Sequence, residues 1–189
     1  KGEWSPETSS FTPSLANRID RNTGGLVIGP KNLEALKILN AKIKSREIEK
    51  YYLTVVYGKM PKSEETLTAF LTKDERKNLV KVTDNQFEGS KKIITKYKVL
   101  DYYDDASLLE IELLTGRTHQ IRAHLAHIGH PLYGDGKYGR EEGRYRQALY
   151  SYKLKFAFDD DNLLSYLSGR VFQARDIKLL DDYKEKKFK

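Results

Sequence analysis

The chain has 189 residues, with 34 Lys and Arg against 27 Asp and Glu, a net charge of +7 and no cysteine. This length suits one domain with an ordinary hydrophobic core, and the missing cysteine excludes disulfide scaffolds, thiolate metal sites and thiol nucleophiles. Hydrophobic residues make up 39% of the chain without a run long enough to span a bilayer, and the first residues do not resemble a signal peptide, so we expect a soluble, cytoplasmic protein.

The excess positive charge is concentrated in two parts of the chain. Residues 1–60 carry a net +4 and residues 115–155 a net +5, whereas residues 61–114 carry −2. Basic segments attract polyanions, and the 13 Tyr and 7 Phe offer faces on which bases can stack. Charge alone leaves two interpretations equally open, nucleic-acid binding and ordinary solubility.

The first predicted elements are a strand, a helix and a second strand. Residues 26–28 are apolar between glycines and predict a short buried strand. Leucines and isoleucines at helical spacing over 31–46 predict a basic amphipathic helix, with Lys42 on its polar face. Residues 49–57 are rich in aromatic and β-branched side chains and predict a strand that is partly covered on both faces.

The rest of the chain reads mainly as strands around one helix. Strands are predicted at 66–71, 79–83, 92–100 and 107–114, and the last two form a hairpin. The net acidic middle of the chain is interpreted as sheet scaffold. Further elements are a helix at 118–128, an amphipathic strand at 148–158 and a frayed helix end at the C-terminus.

All four histidines fall between residues 119 and 130, which raises the question of a metal site. On a helix, His119 and His127 point about 80° apart, and His124 lies within the apolar stripe. No pair has the i,i+4 spacing of a zinc-binding helix. We therefore expect no metal, and we expect His124 to be a core residue.

A second candidate is an acid between two arginines, in the run Asn17-Arg18-Ile19-Asp20-Arg21-Asn22-Thr23-Gly24-Gly25. Neighbouring positive charge favours the ionised form of a carboxylate. Asp20 is therefore a candidate reactive group. The alternative is a loop carboxylate that caps the amides of Asn22 or Thr23.

A third candidate joins a strand end to a helix start, in the run Thr115-Gly116-Arg117-Thr118-His119-Gln120-Ile121-Arg122. Backbone amides at such a start, beside Arg117 and Gln120, can bind an anion. Arg122 lies on the flank of the apolar stripe and is expected to reach a partly buried carboxylate. The alternative is a structural arginine next to a helix cap.

Together these segments resemble the RluA-type pseudouridine synthases. That family's loop His-Arg-Leu-Asp-x-x-Thr-Ser-Gly is matched at 17–25, with Asn17 in place of His and Gly24 in place of Ser. Its Lys-x-Tyr-x-Ala-x-Val-x-Gly motif is similar to residues 50–58. Its Thr-Gly-Arg-x-His-Gln-Ile-Arg-x-His and Gly-x-Pro-x-x-Gly-Asp-x-x-Tyr-Gly motifs are matched at 115–124 and 129–139. The resemblance covers about residues 13–158.

The resemblance implies a fold and an activity. The fold is α+β, a mixed and mainly antiparallel sheet with flanking helices and a central catalytic cleft. The activity converts uridine in RNA to pseudouridine by breaking the N1–C1′ bond and joining C5 to C1′, with no cofactor and no metal. Asp20 is the essential group, which either attacks C1′ or removes a proton from C2′, and both routes stay open. Arg122 is its counter-ion, and Tyr52 stacks on the uracil and assists proton removal from C5.

The resemblance also implies a set of RNA contacts. Arg18 is expected to occupy the space that the flipped base leaves. The other implied contacts are Arg21, Asn22, Thr23, Arg117, Thr118, His119 and Gln120. Charge and position in the sequence add Lys31, Arg140, Arg144 and Arg146 as phosphate contacts.

Family members usually carry an upstream Lys-Pro strand, often after a small RNA-binding domain, and neither is visible in this sequence. We therefore expect residues 1–189 to be a single catalytic domain that lacks its N-terminal part. The expected partner is RNA, first large-subunit ribosomal RNA and second transfer RNA, and we expect a monomer without membrane association. A non-catalytic RNA-binding module and a metal-dependent hydrolase stay open as alternatives.

Overall fold

The computed structural model describes residues 11–12, 14–139 and 146–188. The strands are β1 (Gly24–Gly25), β2 (Ile48–Tyr57), β3 (Glu64–Asp74), β4 (Leu79–Thr83), β5 (Lys91–Tyr103), β6 (Ala106–Leu113), β7 (Leu149–Phe156) and β8 (Val171–Gln173). The helices are α1 (Leu33–Lys44), α2 (Gln120–His127) and α3 (Lys178–Lys184). None of the helices in these ranges is long and apolar enough to cross a membrane.

The strands form one mixed sheet with the order β1-β7-β2-β6-β5-β3-β4, and β8 pairs with β7 outside this order. The pairing of β1 with β7 is parallel, and the other strand pairs are antiparallel. This arrangement confirms the predicted α+β class and the predicted hairpin of β5 and β6. The strand predicted at 79–83 coincides with β4.

Strand β2 is the centre of the core because it has a partner strand on each side and packing on each face. One face carries Leu53 and Val55 into a cluster with α3. The other face carries Tyr52 and Val56 into a cluster with α2. Each fully buried side chain of this kind contributes about 1.5–3 kcal/mol. The predicted coverage of both faces is confirmed, and Tyr52 is held against α2.

The predicted strand at 26–28 was wrong, because the first strand lies at Gly24–Gly25. Val27 is exposed, and the chain around it leaves the sheet. The reason is the close approach of β1 to β7, where a Cβ added at Gly25 would lie 2.1 Å from the carbonyl oxygen of Ser151. The apolar pattern of residues 26–28 gave no indication of this backbone constraint.

The assignment of Lys42 to a polar helix face was also wrong. Lys42 is 5% exposed and lies one helical turn after the buried Leu39. Its ammonium forms ion pairs with Glu47, Asp159 and Asp160. Although burial alone would lower the pKa of Lys42, these three carboxylates raise it above its ordinary value. The lysine can be buried because Glu47 and two carboxylates distant in the sequence pair with its ammonium.

Replacing Gly25 with alanine tests the close pairing of β1 and β7. Gly25 has a φ of +119°, where an L side chain is strained, and the new Cβ would collide with Ser151. We expect the free energy of unfolding to fall by at least about 1–3 kcal/mol, the cost of the backbone strain alone. Urea denaturation measures it, and Gly29→Ala is the matched control because no described neighbour lies within 4 Å of the added Cβ. An equal loss in both variants would contradict the proposed constraint.

Candidate active site

A cavity of about 310 Å³ lies where residues 17–25, the Asp20 loop, meet β2 and the start of α2. Its wall contains Asp20, Tyr52 and Arg122, which the sequence proposed as catalytic residues. Six of the predicted RNA contacts also line it: Arg18, Thr23, Arg117, Thr118, His119 and Gln120. The fold thus brings three distant sequence segments to one cavity.

Asp20 is presented to the cavity by a tight turn. The amide of Thr23 donates a 2.9 Å hydrogen bond to the carbonyl oxygen of Asp20, which leaves Arg21 and Asn22 exposed at the tip. The Asp20 carboxylate does not cap these amides, because its Oδ2 accepts a 2.9 Å hydrogen bond from Nη1 of Arg122. The Asp20 side chain remains 23% exposed. It is therefore held by a guanidinium and still accessible to a ligand.

The two departures of this loop from the family pattern fit the local packing. Oδ1 of Asn17 accepts a 2.7 Å hydrogen bond from the amide of Ile28, which ties the start of the loop to the segment after β1. A Cβ added at Gly24 would lie 2.8 Å from the Tyr150 ring, so the ring occupies the space that a side chain would need. Both substitutions leave Asp20 in place.

Arg122 joins Asp20 to a second carboxylate. Its Nε and Nη2 donate to the two oxygens of Asp135 at 2.7 and 2.8 Å, a bidentate, charge-assisted pair. The Asp135 side chain has no exposed area. Although burial alone would lower the pKa of Arg122, the two carboxylates raise it. Burial alone would raise the pKa of Asp135, but Arg122 and the amides of Lys137 and Tyr138 lower it.

Tyr138 connects the linked charges of Asp20, Arg122 and Asp135, the ion chain, to the sheet. The centre of the Arg122 guanidinium lies 5.2 Å from the centre of the Tyr138 ring. The Tyr138 hydroxyl accepts a hydrogen bond from the amide of Val80 in β4 and lies 2.9 Å from Nδ1 of His119. Burial lowers the pKa of His119, which favours the neutral form of its imidazole. These contacts fix the plane of the guanidinium that holds Asp20.

Tyr52 lies in the cavity wall and is 5% exposed. Burial raises the pKa of its hydroxyl to about 12, and the charge of Asp20 adds to the rise. The hydroxyl is therefore protonated at neutral pH. The ring can stack on a planar base and the hydroxyl can donate a hydrogen bond, but a phenolate base is disfavoured.

Two of the residues predicted to contact RNA are buried and hydrogen-bonded within the protein. Gln120 is buried, and its Nε2 donates to the carbonyl oxygen of Ile94 and to Oγ1 of Thr95. Thr23 is also buried, and its hydroxyl accepts a 2.8 Å hydrogen bond from Gln147. These hydrogen bonds tie the start of α2 to β5 and the Asp20 loop to Gln147.

The other predicted RNA contacts differ in where the structure places them. Those exposed in the cavity wall are Arg18, Arg117 and Thr118. Those exposed elsewhere are Arg21, Asn22, Lys31 and Arg146. Arg140 and Arg144 lie outside the described residues.

The histidines do not converge on one point. His124 is 1% exposed, lies 3.0 Å from Oγ1 of Thr95 through its Nδ1, and has its pKa lowered to about 4 by burial, so it is the neutral core residue that the sequence predicts. His127 instead pairs with Asp84. Within the described ranges, the carboxylates close enough to share a metal are the three around Lys42, and each of them already forms an ion pair with its ammonium.

Sequence reasoning missed the role of Asp135, although it lies in a motif that was matched. Arg122 could have indicated this role, because a partly buried guanidinium has more N–H donors than one carboxylate can satisfy and therefore needs a second acceptor. Lys50 likewise lies in a matched family motif, but the sequence suggested no role for it, although it lines the cavity.

Replacing Asp135 with asparagine tests the buried end of the ion chain. The amide keeps the shape but leaves Arg122 with less counter-charge, so we expect the free energy of unfolding to fall by about 3–5 kcal/mol. The pKa of Asp135 is lowered from its ordinary 3.8. Its stabilisation is therefore complete above the unfolded pKa and is lost as the pH falls through the folded pKa.

The measurement is urea denaturation of the wild type and Asp135→Asn as a function of pH. The stability difference should be constant near neutrality and should narrow below about pH 4. Asp104→Asn, an exposed turn carboxylate, is the matched control and should change little. A difference that persists unchanged into acid would contradict the charge-based account.

The chain is similar to known RNA pseudouridine synthases. A family model described as RNA pseudouridylate synthase matches residues 1–127. An uncharacterised RNA pseudouridine synthase of Mycoplasma genitalium is 40% identical over 155 residues, 78% of this chain and 48% of that protein. Ribosomal large subunit pseudouridine synthase D of Borreliella burgdorferi is 31% identical over 159 residues, 82% of this chain and 48% of that protein. The chain thus spans about half the length of these relatives.

A solved structure shows the same fold. The human RNA pseudouridylate synthase domain containing 1 superposes with a TM-score of 0.70 and 25% identity, over 92% of this chain and 80% of that chain. The matched family region contains the Asp20 loop, β2 and all of α2. The chain therefore belongs to the RNA pseudouridylate synthase family.

Proposed function

We propose that this chain converts uridine in RNA to pseudouridine and that Asp20 is its catalytic group. The observation that carries the proposal is the state of the Asp20 carboxylate, which is held by Arg122 yet 23% exposed at a cavity. Tyr52 in the same wall offers a ring for a flipped base. Membership of the family supports the same reaction.

The carboxylate geometry suits either chemical route. In the first, Asp20 attacks C1′ as the N1–C1′ bond breaks, and the rotated uracil then displaces the ester through C5. In the second, Asp20 takes a proton from C2′ as the base leaves and returns it after C5 joins C1′. In both, C5 loses a proton and N1 gains one, so no atom is added or removed overall. Among the described residues, only Oδ2 of Asp20 accepts a hydrogen bond, which leaves Oδ1 for the sugar.

Tyr52 and Arg18 are assigned to holding the target nucleotide. Because the pKa of Tyr52 is raised to about 12, we assign it to stacking and hydrogen bonding with the uracil rather than to a phenolate base. Arg18 is exposed in the cavity wall, where it can occupy the space of the displaced base. Base extrusion costs a few kcal/mol, which such contacts offset.

The proposed substrate is large-subunit ribosomal RNA. The support is the name of the Borreliella burgdorferi relative, a ribosomal large subunit pseudouridine synthase. A cytoplasmic location and a monomeric state stay predictions from the sequence. That residues 1–189 act as one catalytic domain is also a proposal, supported by the single sheet that includes both β1 and β8.

Asp20→Asn tests the proposed function directly. The amide is nearly isosteric, but it can neither attack C1′ nor take a proton, so conversion should fall by about a thousandfold or more. Release of tritium from C5 of uridine in a ribosomal RNA transcript measures conversion, and fluorescence anisotropy measures RNA binding, which should persist. Asp104→Asn is the control of equal charge change. Unchanged conversion in Asp20→Asn would mark the chain as an RNA-binding module instead.

Arg122→Ala tests the counter-ion. We expect conversion to be lost with RNA binding only modestly weakened, because the guanidinium contacts carboxylates rather than phosphates. Since alanine also leaves Asp135 buried without its partner, Arg122→Lys is the second variant. It keeps the charge but cannot make the bidentate pair and the Asp20 contact together, so its kcat should fall while its Kd for RNA stays near that of the wild type. An equal loss of conversion and binding would identify Arg122 as a phosphate contact.

A further inference from the structure

A second cavity of about 270 Å³ adjoins the Asp20 cavity. The two share Lys50, Leu113, Gly116 and Arg117 in their walls. The two cavities therefore meet at this shared wall, and the second lies between it and the end of α1.

The second cavity has a surplus of positive charge. Its cations are Lys44, Arg46, Lys50 and Arg117, and its carboxylates are Glu49 and Glu112. Glu49 is already engaged, because it accepts a 2.6 Å hydrogen bond from the Tyr51 hydroxyl and pairs with Lys155 at 3.0 Å. The remaining charge suits a polyanionic backbone.

Lys50 lies at the junction of the two cavities and lacks a counter-ion. Among the described residues its ammonium makes no hydrogen bond or ion pair, whereas the neighbouring Lys153 and Lys155 on β7 each pair with a glutamate. Burial lowers the pKa of Lys50, and no nearby carboxylate offsets this. A partly buried ammonium without a partner is unfavourable unless a ligand supplies the negative charge.

The ammonium is accessible because residue 116 is glycine. A Cβ added at Gly116 would lie 3.2 Å from Nζ of Lys50, so a side chain there would crowd the charge. Lys50 and Tyr52 lie two residues apart on β2 and therefore share a face, with about 6.6 Å of strand between them. A nucleotide whose base stacks on Tyr52 thus has its backbone within reach of Lys50.

We propose that Lys50, with Arg117 beside it, binds one of the two phosphates that flank the target uridine, and that the second cavity holds the next stretch of the RNA backbone. The proposal rests on the proposed function, since it extends the same RNA site. A compact ammonium recognises a phosphate as a point charge. Lys50 is thus a positioning residue for the RNA strand, separate from the chemistry at Asp20.

The test compares Lys50→Gln, Lys50→Arg and the wild type in their binding of a short fluorescein-labelled oligouridylate at several salt concentrations. Losing one phosphate contact should reduce the slope of log Kd against log salt by about 0.7–0.9 and weaken binding roughly tenfold at low salt. Lys50→Arg should keep the wild-type slope. Lys37→Gln, an exposed lysine on α1 away from both cavities, is the control of equal charge change.

An unchanged salt slope in Lys50→Gln would overturn the proposal. An equal reduction of the slope in Lys37→Gln would overturn it too, because it would indicate only a general effect of net charge. A slope reduced in both Lys50 variants would also count against it, because arginine retains the charge. Thermal unfolding checks folding, and Lys50→Gln should unfold near the wild-type temperature because Lys50 has no protein partner to lose. This binding experiment needs no turnover, so a failure of uridine conversion would overturn the proposed function without altering its result.

Discussion

The Arg122 guanidinium holds two carboxylates at once, and the geometry of the candidate site depends on this interaction. Asp135 is buried and fixes two of the guanidinium nitrogens. The third nitrogen then determines where the accessible Asp20 carboxylate lies. A buried ion pair of this kind adds little net stability compared with apolar packing, but removing one partner is costly. The arrangement therefore fixes the position of the Asp20 carboxylate, and the two aspartates and Arg122 supply one another's counter-charge.

The rest of the fold keeps that guanidinium in place. The Tyr138 ring packs on the guanidinium, and the amide of Val80 in β4 donates a hydrogen bond to the Tyr138 hydroxyl. The turn that carries Asp135 closes tightly, since a Cβ at Gly139 would lie 2.5 Å from the Asp135 carbonyl oxygen. The acidic middle of the chain, interpreted from the sequence as scaffold, thus holds Tyr138 through Val80. On the other side, β2 holds Tyr52 against α2.

The sequence predicted much of this arrangement, because periodicity reports which faces are buried and the motifs occur in an informative order. The strand at 79–83 and the core position of His124 follow from local patterns, whereas the pairing of Arg122 with Asp20 was expected from the family resemblance. Other features depend on residues that only the folded chain brings together. These are the pairing of Arg122 with Asp135, the burial of Lys42 and the burial of the Gln120 side chain. The placement of β1 at two glycines likewise depends on the approach of β7, which no local pattern contains.

The most direct test of this account is the rate of uridine conversion by Asp135→Asn, measured by tritium release at a pH and temperature where the variant is fully folded. Asp135 does not line the cavity, and Arg122 is the residue that connects its carboxylate to Asp20. The account predicts that kcat falls at least roughly tenfold, as expected when a positioning contact is lost, while the Kd for RNA stays near the wild-type value. A wild-type kcat in the folded variant would contradict the claim that this ion chain positions Asp20 for catalysis.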